Sequence, residues 1–170
     1  MMGRNPLVQK GFCLLFCLLL LALSSCSFHK KSSDRIRSEL MEAMEDLPAG
    51  VCYRSAEEEG EEGYLPSAAL RAMYGEEAEA LLRSTDFSIY LSSFAEPYEL
   101  AVFCAETRAD ARAVYALLLS RADDVRVALR RTEFEPLGEE ITVLLSGRYA
   151  VMGVTKDGEA LRRAIKRAIS

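Results

Sequence analysis

Histidine is almost missing from this chain: the single residue of that type is His29. It lies three positions after Cys26, in the polar stretch Ser27 to Ser33, which has no periodic apolar pattern. Such a tether does not hold a base within ~0.5 Å of a productive geometry. That excludes Ser-His and Cys-His nucleophiles and any metal site built on imidazole. A phosphate-cradling glycine loop is also missing, because Gly60 and Gly63 sit among glutamates that repel phosphate. There is no excess of positive charge either, with 21 basic against 26 acidic residues. A chain of this balance lacks the basic face that nucleic acid requires. Finally, no apolar run is long enough for a helix to cross a bilayer, which needs about 20 residues.

A shorter apolar run is present near the N-terminus. Arg4 and Lys10 precede the twelve unbroken apolar residues Phe12 to Leu23, and the small residues Ser24 and Ser25 follow. Positive, greasy and small, in that order, is the pattern of a secretory leader, and it is set aside from fold reasoning. Leu23-Ser24-Ser25-Cys26 resembles the lipobox of bacterial lipoproteins. The resemblance implies a diacylglyceryl thioether on Cys26, cleavage between Ser25 and Cys26, and acylation of the new amino group. The expected layout is therefore a lipoprotein signal peptide over 1–25, a lipidated tether over 26–33 and one domain over 34–170. Two acyl chains bury enough methylenes, at about 0.8 kcal/mol each, to hold a protein on a membrane. The expected location is the extracytoplasmic face of the cell membrane, with the lipid as the membrane contact and no other cofactor.

Removing Arg4 and Lys10 with the leader takes the 21 basic residues to 19 against 26 acidic, a net charge of −7. Lys30 and Lys31, just past the anchor, could touch lipid phosphates at on the order of 1 kcal/mol each, or remain a solvated tether. Of the five cysteines, only Cys52 and Cys104 stay in the mature chain as thiols. An exported location permits a disulfide between them; two buried, unpaired thiols are the favoured reading, because cysteine packs well as a small hydrophobe.

Periodicity gives the order of elements. Asp34 reads as an N-cap before the apolar stripe Ile36, Leu40, Ala43, Met44 and Leu47, which ends at Pro48-Ala49-Gly50. Val51 to Arg54 is a short strand, and the glutamate-rich Glu57 to Gly63 a solvated loop. Ser67 to Met73 and Glu76 to Leu82 are short helices. Asp86 to Ser93 alternates as a half-buried strand, with Ser88, Tyr90 and Ser92 on the outward side. Tyr98 to Ala105 is apolar on both faces except at Glu99 and reads as central. The steps Ala111, Val114, Tyr115, Leu118, Ala122, Val125 and Leu129 define a long helix that breaks at Pro136-Leu137-Gly138. Ile141 to Leu145 and Arg148 to Thr155 form a hairpin around Ser146-Gly147, and Asp157-Gly158 starts a last helix. The expected fold is α+β: a mainly antiparallel sheet of about four to five strands with helices packed on it.

Candidate chemistry is sparse. Asp123-Asp124 and Glu139-Glu140 are carboxylate pairs, but a chain this acidic places such pairs on solvated faces. Tyrosines are the remaining candidates for a contact surface, among Tyr64, Tyr74, Tyr90, Tyr98 and Tyr149, with Tyr64, Tyr90 and Tyr149 foremost. A tyrosine offers apolar area with a polar tip, which suits peptide or glycan contact; sheet packing under a covering helix is the reading favoured over it. No catalytic and no metal-binding residue is expected.

From Glu99-Leu100-Ala101-Val102-Phe103, through the charged helix to Leu129, the break at Pro136 and the strand pair around Gly147-Arg148-Tyr149, the chain resembles a family of small bacterial lipoproteins known as domain of unknown function 4358. Asp86 to Ile89 and the lipobox fit the same pattern, while Cys104 and the glutamate-rich loop depart from it. The resemblance implies an exported lipoprotein and brings no catalytic residue with it. The leading expectation is a membrane-anchored, non-enzymatic binding or interaction module for an unidentified envelope protein or ligand. The alternative is a small envelope hydrolase acting through acidic residues.

Overall fold

The computed structural model describes residues 31–44, 47–93 and 96–170. Cys26, Ser25, His29 and Lys30 lie outside the described residues. The elements run α1 (Ser33–Ala43), β1 (Gly50–Arg54), α2 (Ser67–Tyr74), α3 (Ala78–Arg83), β2 (Asp86–Ser92), β3 (Glu99–Cys104), α4 (Arg108–Leu129), α5 (Glu135–Glu139), β4 (Thr142–Ser146), β5 (Tyr149–Val154) and α6 (Gly158–Ala168). All five strands form one antiparallel sheet in the order β1-β2-β3-β5-β4, so the α+β expectation holds.

Helices cover both faces of this sheet. Phe87, Ile89, Ala101, Phe103, Ala150 and Met152 share one face by register. The ring of Tyr74, on α2, meets Phe103 edge-on at 5.9 Å, and Arg121, on α4, reaches Glu99 on that same face. The opposite face carries Ser88, Tyr90, Leu100, Val102, Val151 and Gly153. There α1 lies over β2, with Arg37 Nε donating to Ser88 Oγ at 2.8 Å, and α6 lies over β5. The approach of α6 is tight: a Cβ on Gly153 would stand 2.2 Å from Leu161 Cδ2.

This double cover corrects one expectation. Tyr90 does not face outward; it is 1 % exposed beneath α1, and its hydroxyl donates to the Pro48 carbonyl. Ser88 on the same side is bonded by the buried Arg37 of α1, and Ser92 bonds within its own turn to the Glu96 carbonyl and the Tyr98 amide. Asp34 is not the N-cap either. Ser32 fills that position, its hydroxyl accepting from Arg35 N at 3.3 Å. The Asp34 carboxylate is taken by Arg37 at 2.7 Å and Arg54 at 2.8 Å. Lys31 and Ser33, expected in the tether, belong to the fold. Ser33 donates to Asp86 through both its amide and its hydroxyl, while Lys31 pairs with Glu39.

Two smaller differences have clear causes. The hairpin turns on Gly147-Arg148, one residue later than expected, because Gly147 takes φ +60° at the first central position, the one that glycine fills in a type II′ turn. Each strand shifts by one residue, so Val143, Leu145, Ala150 and Met152 still share a face. The break at Pro136 is a one-turn helix, α5, with proline in its first turn, where no amide is needed for the helix bonding. The long helix matches its periodicity: Ala111, Val114, Leu118, Ala122, Val125 and Leu129 are all buried.

Candidate binding cleft

At one end of the sheet, α1 stops at Ala43 and α6 begins at Gly158, and a cleft of about 260 Å³ lies between them. Its apolar wall comes from Met44 and Leu47 at the end of the α1 stripe, with Ala160 opposite. Tyr98 lines it from the start of β3 and is 5 % exposed. The polar groups come from the short β5–α6 connection, Thr155-Lys156-Asp157. Asp157 caps α6, its carboxylate accepting from Ala160 N at 2.7 Å, and this draws the helix start to the rim. Gly158 N donates to Glu140 Oε2 at 2.8 Å, which ties the same turn to the end of α5. Lys156 Nζ stands 5.9 Å from the centre of the Tyr98 ring, within cation–π range.

Thr155 is 3 % exposed, and its hydroxyl has no hydrogen-bond partner among the described residues. An unpaired buried hydroxyl costs roughly 1–3 kcal/mol, a cost that a ligand or a water placing an acceptor or donor there would remove. Apolar walls with a few convergent polar groups are the usual make-up of a small-molecule site.

Of the foremost tyrosines, none lines this cleft. Tyr64 is half-buried, with the Arg83 guanidinium 5.1 Å from its ring centre. Tyr149 is half-buried, and its hydroxyl donates to the Lys31 carbonyl at 3.1 Å; desolvation raises its pKa. Tyr90 lies inside the sheet–helix layer. The three do not meet in one groove. Tyr98, one of the wider set, does reach the cleft. Thr155 and Lys156 went unread in the sequence. Their only signal was their place at the carboxyl end of a strand, directly before a helix cap.

The carboxylates are mostly engaged. Asp123 accepts from Arg126 at 2.7 Å, and Glu140 caps α6. Glu99 is the exception in kind: it is 3 % exposed and lines a second cavity of about 160 Å³ beside Arg121. Burial pushes its carboxyl above the ordinary range, against the Arg121 guanidinium bonded to it at 2.9 Å. Neither Cys52 nor Cys104 is in a disulfide. Cys52 sits on β1 opposite Tyr90, Cys104 at the far end of β3 opposite Asp86, and β2 lies between those strands. That places them too far apart for a bridge.

No family model matches the chain, and neither curated proteins nor solved structures give a match.

Proposed function

We propose that this protein is a membrane-anchored extracytoplasmic lipoprotein, lipidated on Cys26, whose fold is a non-enzymatic binding module. The family resemblance and the leader support the anchor. The observation that carries the binding reading is the cleft between α1 and α6, apolar in its walls and lined by Thr155, whose buried hydroxyl has no partner among the described residues. Its ligand is a small molecule with an apolar body and a polar head.

Thermal unfolding tests this directly. A ligand at ten times its Kd stabilises the native state by about 1.4 kcal/mol, a shift of about 4 °C for a domain of this size. The probes are millimolar apolar amino acids, dipeptides and short-chain carboxylates. A shift in the wild type that Ala160→Trp abolishes supports the cleft. No shift from any of them in the wild type refutes it for this ligand class. Separately, Cys26→Ser is expected to release the protein from membranes or leave it unprocessed; membrane fractionation at normal size would sink the anchor.

The second reading, a hydrolase acting through acidic residues, has one observation in its favour. Glu99 is a buried carboxyl with a raised pKa in a cavity wall, the condition a general acid needs. Envelope glycan or peptidoglycan cleavage that disappears in Glu99→Gln would favour it.

A further inference from the structure

We propose that the C-terminal half of α6 faces an anionic bilayer, with Arg163, Lys166 and Arg167 set against lipid phosphates. The proposal rests on the Cys26 anchor and adds to it an orientation and a second membrane contact.

The geometry starts at Lys31, where the chain enters the fold. Its Nζ donates to the Ala168 carbonyl at 2.8 Å, so the point of entry touches the last turn of α6. Its own carbonyl accepts from Tyr149, which fixes the backbone there. Four residues separate Cys26 from Lys31. At full extension they span at most about 18 Å. Whatever surface surrounds Lys31 is therefore held within that reach of the lipid.

That surface is basic, although the chain as a whole is acidic. Arg163, Lys166 and Arg167 are exposed and form no ion pair among the described residues. The only acidic residue of α6, Glu159, sits in its first turn and pairs with Arg162. Across a shallow groove, α1 presents Glu39, whose carboxylate is already held by Lys31 at 2.9 Å and Arg35 at 3.2 Å. Asp34 on the same helix is held by Arg37 and Arg54, and Glu42 is its one acid with no ion pair among the described residues. Lys31, Arg35, Arg163, Lys166 and Arg167 thus stand against Glu39 and Glu42. The helix dipole favours cations in the last turn and accounts for Lys166 and Arg167. Arg163, a turn earlier, extends the same exposed charge along the helix. Each basic side chain near an anionic leaflet strengthens association on the order of fivefold.

Two lysines at opposite ends of α6 make the test internal. Lys166 lies in the last turn, and Lys156 just precedes the helix, roughly 15 Å away along its axis. Both are exposed. The full chain, purified from membranes, is reconstituted in vesicles of phosphatidylcholine alone or with 30 % phosphatidylglycerol, then labelled with a membrane-impermeant amine reagent. Lys166 is expected to label at least about fivefold more slowly on the anionic vesicles, with Lys156 unchanged. Arg163→Glu with Arg167→Glu, both surface positions, is expected to erase that difference. Equal labelling of Lys166 on the two vesicles, or a difference that survives the double variant, overturns the proposal. Flotation on neutral vesicles reads the lipid anchor separately: a chain that fails to float there but shows the Lys166 difference on anionic vesicles keeps this face and loses the anchor.

Discussion

Replacing Arg121 with methionine removes the guanidinium that binds a buried carboxylate. Glu99 Oε2 accepts from Arg121 Nη2 at 2.9 Å and Nε at 3.3 Å, while Oε1 is buried without a hydrogen bond. The pair sits between α4 and β3, with the Tyr74 hydroxyl near enough for Glu99 to raise its pKa further after burial. Breaking a pair of this kind costs about 3–5 kcal/mol, because a charge is left in the core. The cost depends on pH, and its sign is set by the raised pKa of Glu99. A folded-state pKa above the unfolded value means that the native state holds the proton more tightly. Stability is then greatest below the unfolded pKa and falls as pH rises toward the folded one. Removing Arg121 lifts the folded pKa further and widens that window. Each pH unit inside it is worth about 1.4 kcal/mol, so Arg121→Met at pH 5 is expected to be up to about 2.7 kcal/mol less damaging than at pH 7. Urea unfolding at both values reads this. The double variant Glu99→Met with Arg121→Met is expected to recover most of the loss, since a matched apolar pair replaces a desolvated ionic one. A penalty that is the same at pH 5 and pH 7, or a double variant no better than the single one, would refute this account of the pair.

Asp34 shows the opposite pH behaviour. Burial raises its pKa, but Arg37 and Arg54 outweigh that and hold it at about 2, so its contribution is present above pH 4 and lost between pH 4 and pH 2. Its side chain is 43 % exposed, which screens the pairing; Asp34→Asn is expected to cost about 1 kcal/mol at pH 7 and almost nothing at pH 2, by urea titration. Gly153→Ala places a methyl 2.2 Å from Leu161 Cδ2 and 2.9 Å from Leu100 Cδ2, and calorimetry is expected to show a loss of about 1–3 kcal/mol from overpacking. Arg131 takes φ +61°, so Arg131→Gly is expected to stabilise by up to about 1 kcal/mol, read as a rise in the urea midpoint. Leu40→Ala, at a position with no exposure, is expected to cost about 2–5 kcal/mol in the single global transition; an unchanged midpoint would mark α1 as detachable.

How much of this was legible in the sequence follows from which signals are local. The long helix α4 could be read from steps of three and four, because a helix buried along one stripe writes its geometry into consecutive residues. The strands β2, β3 and β5 were legible for the same reason, and even the one-residue slip at Gly147 left the face assignments intact. Tyr90 was misread because polarity was taken as exposure. Ser88 and Tyr90 are satisfied by Arg37 and the Pro48 carbonyl, partners about 50 and 40 positions away that no window of sequence contains. The cleft was illegible in the same way. Met44 and Leu47 carry the same signal whether they close onto a neighbour or stop short of one. Only the meeting of α1 with the β5–α6 connection leaves Thr155 without a partner.

The placement of α1 links these findings. Its inner side buries Ile36 and Leu40, and Arg37 from the same helix satisfies a serine on the sheet. Its first residues anchor Ser33 to Asp86 on β2, and Lys31 just before them binds the end of α6. The helix is therefore part of the core and not a spacer between membrane and fold. The cleft opens at the other end of α1 and α6, the end that carries Met44, Thr155 and Ala160. The two ends of the α1–α6 pair thus carry different surfaces, the apolar cleft at one and the basic last turn of α6 at the other.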